Sequence, residues 1–422
     1  MHRRFTWALI FVLTFFLSTF LSALLSTGSE RALGHTPGEG TGATSFPVAP
    51  AETTTVVASD YQWDLPSWVP RPVVPADNPM TAEKVELGRR LFYELRLSAT
   101  GGFSCATCHL QAFAFSDGKP QSVGATGQLH PRNSMSLTNV GYNSAQTWAN
   151  PLMQHLEQQM LVPLFGEEPV ELGMAGKEDE LLAMLRQDPD YRDRFEAVFA
   201  PENSENSVES SVKSSEAVSI RNLTLAIAAF ERTLNSFNSP YDRYRYGGDR
   251  NAISAAAKRG EALFNSERLE CFHCHSGLNF SDSTRHERSG FVEIAFHNTG
   301  LYNLDSGGSY PPSNIGLKEI TLKPEDMGKF RAPTLRNIAL TAPYMHDGTV
   351  ATLEEAIAHY AAGGRTIESG PNAGVGSQNR LKSSFVKGFE LSEREKQDLL
   401  AFLNSLTDET FVTDPELGPP AL

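Results

Sequence analysis

Two stretches of the chain repeat one another at a constant offset of 172 residues: Gly88-x-x-Leu91-Phe92 followed by Arg96-Leu97, and Gly260-x-x-Leu263-Phe264 followed by Arg268-Leu269. Each copy ends in C-x-x-C-H, as Cys105-Ala106-Thr107-Cys108-His109 and Cys271-Phe272-His273-Cys274-His275. Five identities at one spacing mean that the chain folds as two copies of one unit. Six extra residues before the first pair of cysteines imply a longer loop in the first copy. Two thiols two residues apart can form thioethers to the vinyl groups on one edge of a haem, and the imidazole that follows becomes an axial iron ligand. The chain is therefore expected to carry two covalently attached haem c groups. A tetrathiolate zinc site or a redox dithiol could use the same cysteines, but both pairs are followed directly by His. All four cysteines are consumed, so no thiol remains for a disulfide.

Each repeat opens on an amphipathic helix, with Val85, Leu87, Leu91 and Phe92 on the apolar face of one and Ala256, Leu263 and Phe264 on that of the other. A Gly inside such a helix costs about 1 kcal/mol relative to Ala. Gly88 and Gly260 therefore mark places where another helix crosses closely. The expected crossing partners are 221–236 and 392–406, which share an Ala-Phe-x-x-x-Leu core, and Ser392 with Glu395 makes a capping box for the second. Strand signals are weak throughout. The fold class is mainly α: two tandem cytochrome c-like domains, 59–248 and 249–422, with the haems near their interface.

The chain opens with Met-His-Arg-Arg and runs uncharged from Phe5 to Ser26, which reads as a signal peptide or, being long enough to span a bilayer, a membrane anchor. Residues 27–58, rich in Gly, Ala, Thr, Ser and Pro without hydrophobic periodicity, are expected to be a disordered linker, and 201–216 a surface loop. Export to the periplasm is consistent with covalent haem attachment. A formal net charge of −14 argues against nucleic acid as a partner.

Pro131-Arg132-Asn133-Ser134 follows the first motif; Ala332-Pro333-Thr334-Leu335-Arg336-Asn337, leading to Thr341-Ala342-Pro343-Tyr344-Met345-His346-Asp347-Gly348, follows the second. With these, residues 80–406 resemble the bacterial di-haem cytochrome c peroxidase and MauG family. The stretch Tyr61-Gln62-Trp63-Asp64-Leu65-Pro66 to Pro75-Ala76-Asp77-Asn78-Pro79-Met80, with Glu293-Ile294-Ala295-Phe296-His297-Asn298-Thr299-Gly300, is similar to the family's MbnH-like, methanobactin-associated branch. The resemblance implies that the first haem is the peroxide site, with His109 behind the iron and an open face in front. Glu171 matches the acid that moves a proton between the peroxide oxygens, with Glu167 and Glu168 as rivals, and Gln159 and Pro163 match the residues lining that pocket. The loop position that carries a blocking His in many relatives falls on Ala125, which leaves the first haem ready in the oxidised protein; His130 lies close by in sequence.

The same matching places His275 behind the second iron and Tyr360 in front of it, on a helix face shared with Leu353, Ala356 and Ile357. His359, Met345 and Met327 are the remaining candidates for that position. Trp148 matches a Trp lying between the haems, and Asn133 with the carbonyls of Thr341 and Pro343 matches a calcium site. Because Trp148 is the only Trp after residue 68, no second Trp is expected as an exit relay near His275. His273, His297 and His346 are read as structural. A phenolate on the second iron favours higher oxidation states, whereas Met would raise the potential. The resemblance thus implies a periplasmic enzyme of MauG type. Such an enzyme uses hydrogen peroxide to reach a high-valent di-haem state that oxidises a residue, such as Trp, on a partner protein. The alternatives are a cytochrome c peroxidase fed by a small cytochrome or cupredoxin, and a non-enzymatic di-haem electron carrier.

Overall fold

The computed structural model describes residues 61–199 and 217–421, together with a short strand at Thr44–Ser45. The expected signal or anchor 1–26, the remainder of 27–58 and the loop 201–216 lie outside the described residues. Among the described residues, no helix is long and apolar enough to cross a membrane. The longer helices are α1 (Ala82–Tyr93), α2 (Glu178–Gln187), α3 (Pro189–Phe199), α4 (Ile220–Glu231), α5 (Ala255–Phe264), α6 (Leu353–Ala361) and α7 (Glu393–Asn404). Strand content among the described residues is small, as expected: β1 (Thr44–Ser45) pairs antiparallel with β2 (Ala295–Phe296), and β3 (Thr366–Ile367) with β4 (Gly374–Val375). Thr44 and Ser45 belong to the stretch expected to be a disordered linker; backbone pairing to β2 gives them a defined place.

Helix α1 begins where the Thr81 hydroxyl accepts from the Lys84 amide at 3.1 Å, and it buries Leu87, Leu91 and Phe92 completely. Its Gly88 lies against the backbone of α4: a Cβ there would sit 1.9 Å from the Ala226 carbonyl oxygen. The second repeat does the same. A Cβ on Gly260 of α5 would sit 2.0 Å from the Asp398 carbonyl oxygen of α7. Both crossings are thus of the kind the two glycines imply, with the partners read from sequence, and the Ser392–Glu395 capping box is present. The crossings are sealed by equivalent ring pairs, Phe92 with Phe230 at 5.3 Å and Phe264 with Phe402 at 5.1 Å.

The partner helices are shorter than the periodicity suggests, ending at Glu231 and Asn404 instead of 236 and 406. Beyond each end the backbone is captured by an asparagine of the same repeat. Asn139 and Asn337 both adopt positive φ, and their amides donate to the carbonyls of Leu234 (2.8 Å) and Leu406 (3.0 Å). Their side-chain oxygens accept from the amides of Ser236 and Asp408, each at 2.7 Å. The same two side chains join the repeats, since Asn139 Nδ2 donates to Asn279 Oδ1 and Asn337 Nδ2 to the hydroxyls of Thr138 and Ser236. Both groups of the Asn139 and Asn337 side-chain amides are therefore spent on the junction, which favours this register.

The last residues return to the first repeat. Phe411, in a short helix Glu409–Thr413, packs on Phe115 at 5.4 Å, and Tyr93 donates its hydroxyl to the Leu417 carbonyl at 2.8 Å.

Candidate functional site

Both C-x-x-C-H motifs form tight turns that end in a half-buried histidine, Cys105–Cys108 as one helical turn and Cys271–His273 as a 3₁₀ turn. His109 Nδ1 donates to the Phe115 carbonyl at 2.8 Å, and His275 Nδ1 donates to the Phe280 carbonyl at 3.1 Å. The carbonyls can point back at the rings because Phe115 and Phe280 both adopt positive φ. A hydroxyl braces each turn: Ser136 donates to the Ala114 carbonyl at 2.6 Å and Thr334 to the Asn279 carbonyl at 2.6 Å. With Nδ1 committed, each ring keeps Nε2 for a metal, and the carbonyl partner raises its basicity as a ligand. Burial pushes both imidazoles below their ordinary range, which favours the neutral, ligating form.

Glu171 lies near enough to the first motif for its charge to act on Cys105, Cys108 and His109. Its segment is laid onto a short helix, Leu161–Phe165, by the Leu172 amide donating to the Pro163 carbonyl (2.9 Å) and the Met174 amide to the Leu164 carbonyl (2.9 Å). The Ala125 amide donates to the Glu171 carbonyl at 2.6 Å, so the loop that lacks an imidazole at 125 runs beside the acid. Glu171 is half-buried, whereas the rivals Glu167 and Glu168 are exposed. Gln159 closes the preceding turn, Leu156–Gln159, and is half-buried. From the sequence His130 was the remaining imidazole near the blocking-loop position; in the structure its Nε2 lies 3.4 Å from Glu171 Oε1, while its Nδ1 accepts from the Arg132 amide at 3.1 Å.

The second motif borders a largely apolar cavity of about 230 Å³. Cys271, Cys274 and His275 line one part of it, and Leu353, Ala356, Ile357 and Tyr360 line another, so the face of α6 read from sequence is the face presented. Burial raises the Tyr360 phenol above its ordinary value, and the neighbouring Cys274 and Cys271 sulfurs act in the same direction. Of the other candidates only Met345 lines this cavity. His359 is buried on a different face of α6, with burial pushing its ring down to about 4, and Met327 packs in a neighbouring core beside Tyr310 and Phe330.

Asn133, Thr341, Pro343 and Trp148 line the same cavity. Asn133 Nδ2 donates to the Lys119 carbonyl at 2.7 Å, which leaves Oδ1 as the atom free to ligate, and Trp148 Nε1 donates to the Asn133 carbonyl at 2.9 Å. Neutral oxygens of this kind suit calcium with water completing the shell. Arg331, 3% exposed, has only neutral hydrogen-bond partners, the Thr147 carbonyl at 3.3 Å among them, and burial pushes its guanidinium down to about 10. A buried cation with no carboxylate hydrogen-bonded to it is costly, and Asp282 acts on it only through its charge. A haem, with its carboxylate-bearing edge, fits that cavity, and its iron would find the free Nε2 of His275. His346 stacks on Phe330 at 3.6 Å with its buried Nε2 unpartnered, and His297 is paired with Asp282 at 2.5 Å. His273 lies beside Glu270 at 2.7 Å and stacks on Phe385.

A second cavity, of about 450 Å³, reaches the opposite side of the motif. His275 lines it with Trp68, Tyr241, Arg245 and Tyr246. Trp68 thus stands near His275, contrary to the expectation that no second Trp is available there. It arrives from the segment ahead of the first repeat, which carries no periodic signal.

Residues 82–251 match the family model described as di-haem cytochrome c peroxidase. The methylamine utilization protein MauG of Methylorubrum extorquens is 33% identical over 374 residues, which cover 87% of this chain and 90% of that protein. The cytochrome-c peroxidase IdrP1 of Denitromonas iodatirespirans is 35% identical over 362 residues, covering 82% and 87%. A solved structure of a MauG-like protein associated with microbial copper homeostasis is 49% identical, with a TM-score of 0.80 over 85% of this chain and 99% of that one.

Proposed function

The chain belongs to the di-haem cytochrome c peroxidase family that includes MauG, a family of peroxide-dependent oxidoreductases with two c-type haems; from this premise we propose that it uses hydrogen peroxide to oxidise a residue, such as Trp, on a partner protein in the periplasm. When bound at the two motifs, the haems supply iron that binds peroxide and stores oxidising equivalents.

The observation that carries this reading is Tyr360, whose phenol shares a cavity with Cys271, Cys274 and His275. Burial keeps a phenol protonated, so Tyr360 sheds its proton only where a cation takes the proton's place. A phenolate there opposes reduction, so the second site is suited to holding an oxidising equivalent instead of supplying an electron. At the first site, Glu171 holds the proton that must pass from one peroxide oxygen to the other. Gln159 and Pro163 line its pocket, and Ala125 offers no imidazole to close it. Trp148, tied to Asn133, links the two sites, and Asn133 Oδ1 with the carbonyls of Thr341 and Pro343 would hold a calcium ion beside it.

A second reading, reduction of peroxide to water with electrons from a small cytochrome or cupredoxin, is favoured by one observation: Met345 lines the same cavity as Tyr360. Peroxide added to the fully oxidised protein separates the two. The proposal expects the Mössbauer signals of both irons to change without prior reduction. If no change occurs until one haem is reduced, the second reading holds.

A further inference from the structure

Oxidising equivalents stored at a buried site must reach a partner that cannot enter it. Resting on the reading above, we infer that Trp68 and Tyr246 form the exit from the second haem site to the protein surface. Their rings stack at 3.8 Å with an interplanar angle of 14°, and Trp68 also meets Phe237 edge-on at 5.7 Å. Both line the cavity that His275 also lines. Tyr246 is 45% exposed while Trp68 is half-buried, so the pair leads from that cavity to solvent.

The placement of this pair is built. The Val69 amide donates to the Pro66 carbonyl at 2.9 Å, and Tyr142 donates its hydroxyl to the Pro70 carbonyl at 2.8 Å, which pins the segment bearing Trp68. On the other side, a short helix, Pro240–Arg245, carries a Ser239–Asp242 capping box, and the Tyr246 amide donates to the Asp242 carbonyl at 2.8 Å. Trp68 packs on the small core of Val69, Tyr142 and Phe237, while the Tyr246 ring stacked on its other side is exposed. Indole and phenol are the two aromatic side chains that give up an electron most readily.

Around Tyr246, Arg243, Arg245 and Arg250 are exposed against a single exposed acid of the same segment, Asp249. On a chain of net charge −14 this is a locally basic rim, suited to a protein that carries acidic groups around an oxidisable side chain. Peroxide takes up two electrons and two protons and leaves as two waters. The partner's side chain loses two electrons, one at a time through Tyr246 and Trp68, and releases two protons to solvent.

The test treats the holoprotein with a few equivalents of peroxide and no donor, then maps oxidised peptides by mass spectrometry. Oxygen addition concentrated on Trp68 and Tyr246 is expected, and modification elsewhere with both spared overturns the assignment. Alongside, Trp68→Phe should leave haem content and the optical response to peroxide unchanged while the oxidised protein persists about tenfold longer. Unchanged persistence overturns the exit role. A wild-type protein with no optical response to peroxide overturns the proposed function itself, and this inference with it.

Discussion

The two repeats fix their motif histidines alike and differ in the residues that the proposed reading sets opposite them. The shared parts correspond closely: Gly88 and Gly260 at the crossings, His109 and His275 donating to Phe115 and Phe280, Asn139 and Asn337 catching the ends of α4 and α7. Among the residues that differ, the first repeat offers a half-buried acid, Glu171, with His130 3.4 Å away, and the second offers the phenol of Tyr360 in a largely apolar cavity. Fixing the histidine is common to both repeats. On the proposed reading, the differing residue decides whether a site receives peroxide or holds charge.

The largest expected effect strikes one side only. Glu171→Gln should slow the optical response to peroxide by about 10²- to 10⁴-fold, since it removes a general acid–base group, with haem content intact; a wild-type rate takes Glu171 out of the mechanism. The scaffold predicts symmetry instead. Gly88→Ala and Gly260→Ala each drive a Cβ into a backbone carbonyl and should each destabilise the protein by about 3 kcal/mol. Chemical denaturation monitored separately at the two haems checks this, and a neutral substitution in either repeat breaks the equivalence.

Next comes Tyr360→Met, which should raise the potential of the second haem and leave that of the first in place; redox titration followed optically reads both. The smallest effect is on stability against pH. Glu231 of α4 is buried where α7 has Leu403, and burial pushes its carboxyl up to about 8 although the Arg232 guanidinium pulls the other way. Between the ordinary carboxyl range and pH 8 the folded chain keeps a proton that the unfolded chain has lost, so stability falls as pH rises across that window. Glu231→Gln should flatten this slope in thermal melts, and an unaltered slope excludes Glu231 as its source.

Much of the scaffold was legible because its signals are local or repeat. A glycine inside an amphipathic helix announces a crossing, an Ala-Phe-x-x-x-Leu core identifies the partner, and Leu353, Ala356, Ile357 and Tyr360 share a face by helical spacing alone. What was not legible depends on distant pairing. The ends of α4 and α7 retreat because Asn139 and Asn337 take the Leu234 and Leu406 carbonyls, contacts that leave no periodic trace. His130 has no signature apart from its meeting with Glu171, and Trp68 comes to the His275 side from a segment outside the repeats. Glu171 itself was separable from Glu167 and Glu168 only by family likeness, and burial now distinguishes it.

The proposed chemistry needs a phenolate on the second iron and an open face on the first. Resonance Raman on the resting, fully oxidised protein tests it most directly. Tyrosinate vibrations that shift with ring-deuterated tyrosine and vanish in Tyr360→Phe are the predicted result. A near-infrared band of sulfur ligation from Met345, or two six-coordinate haems that ignore peroxide, would contradict it.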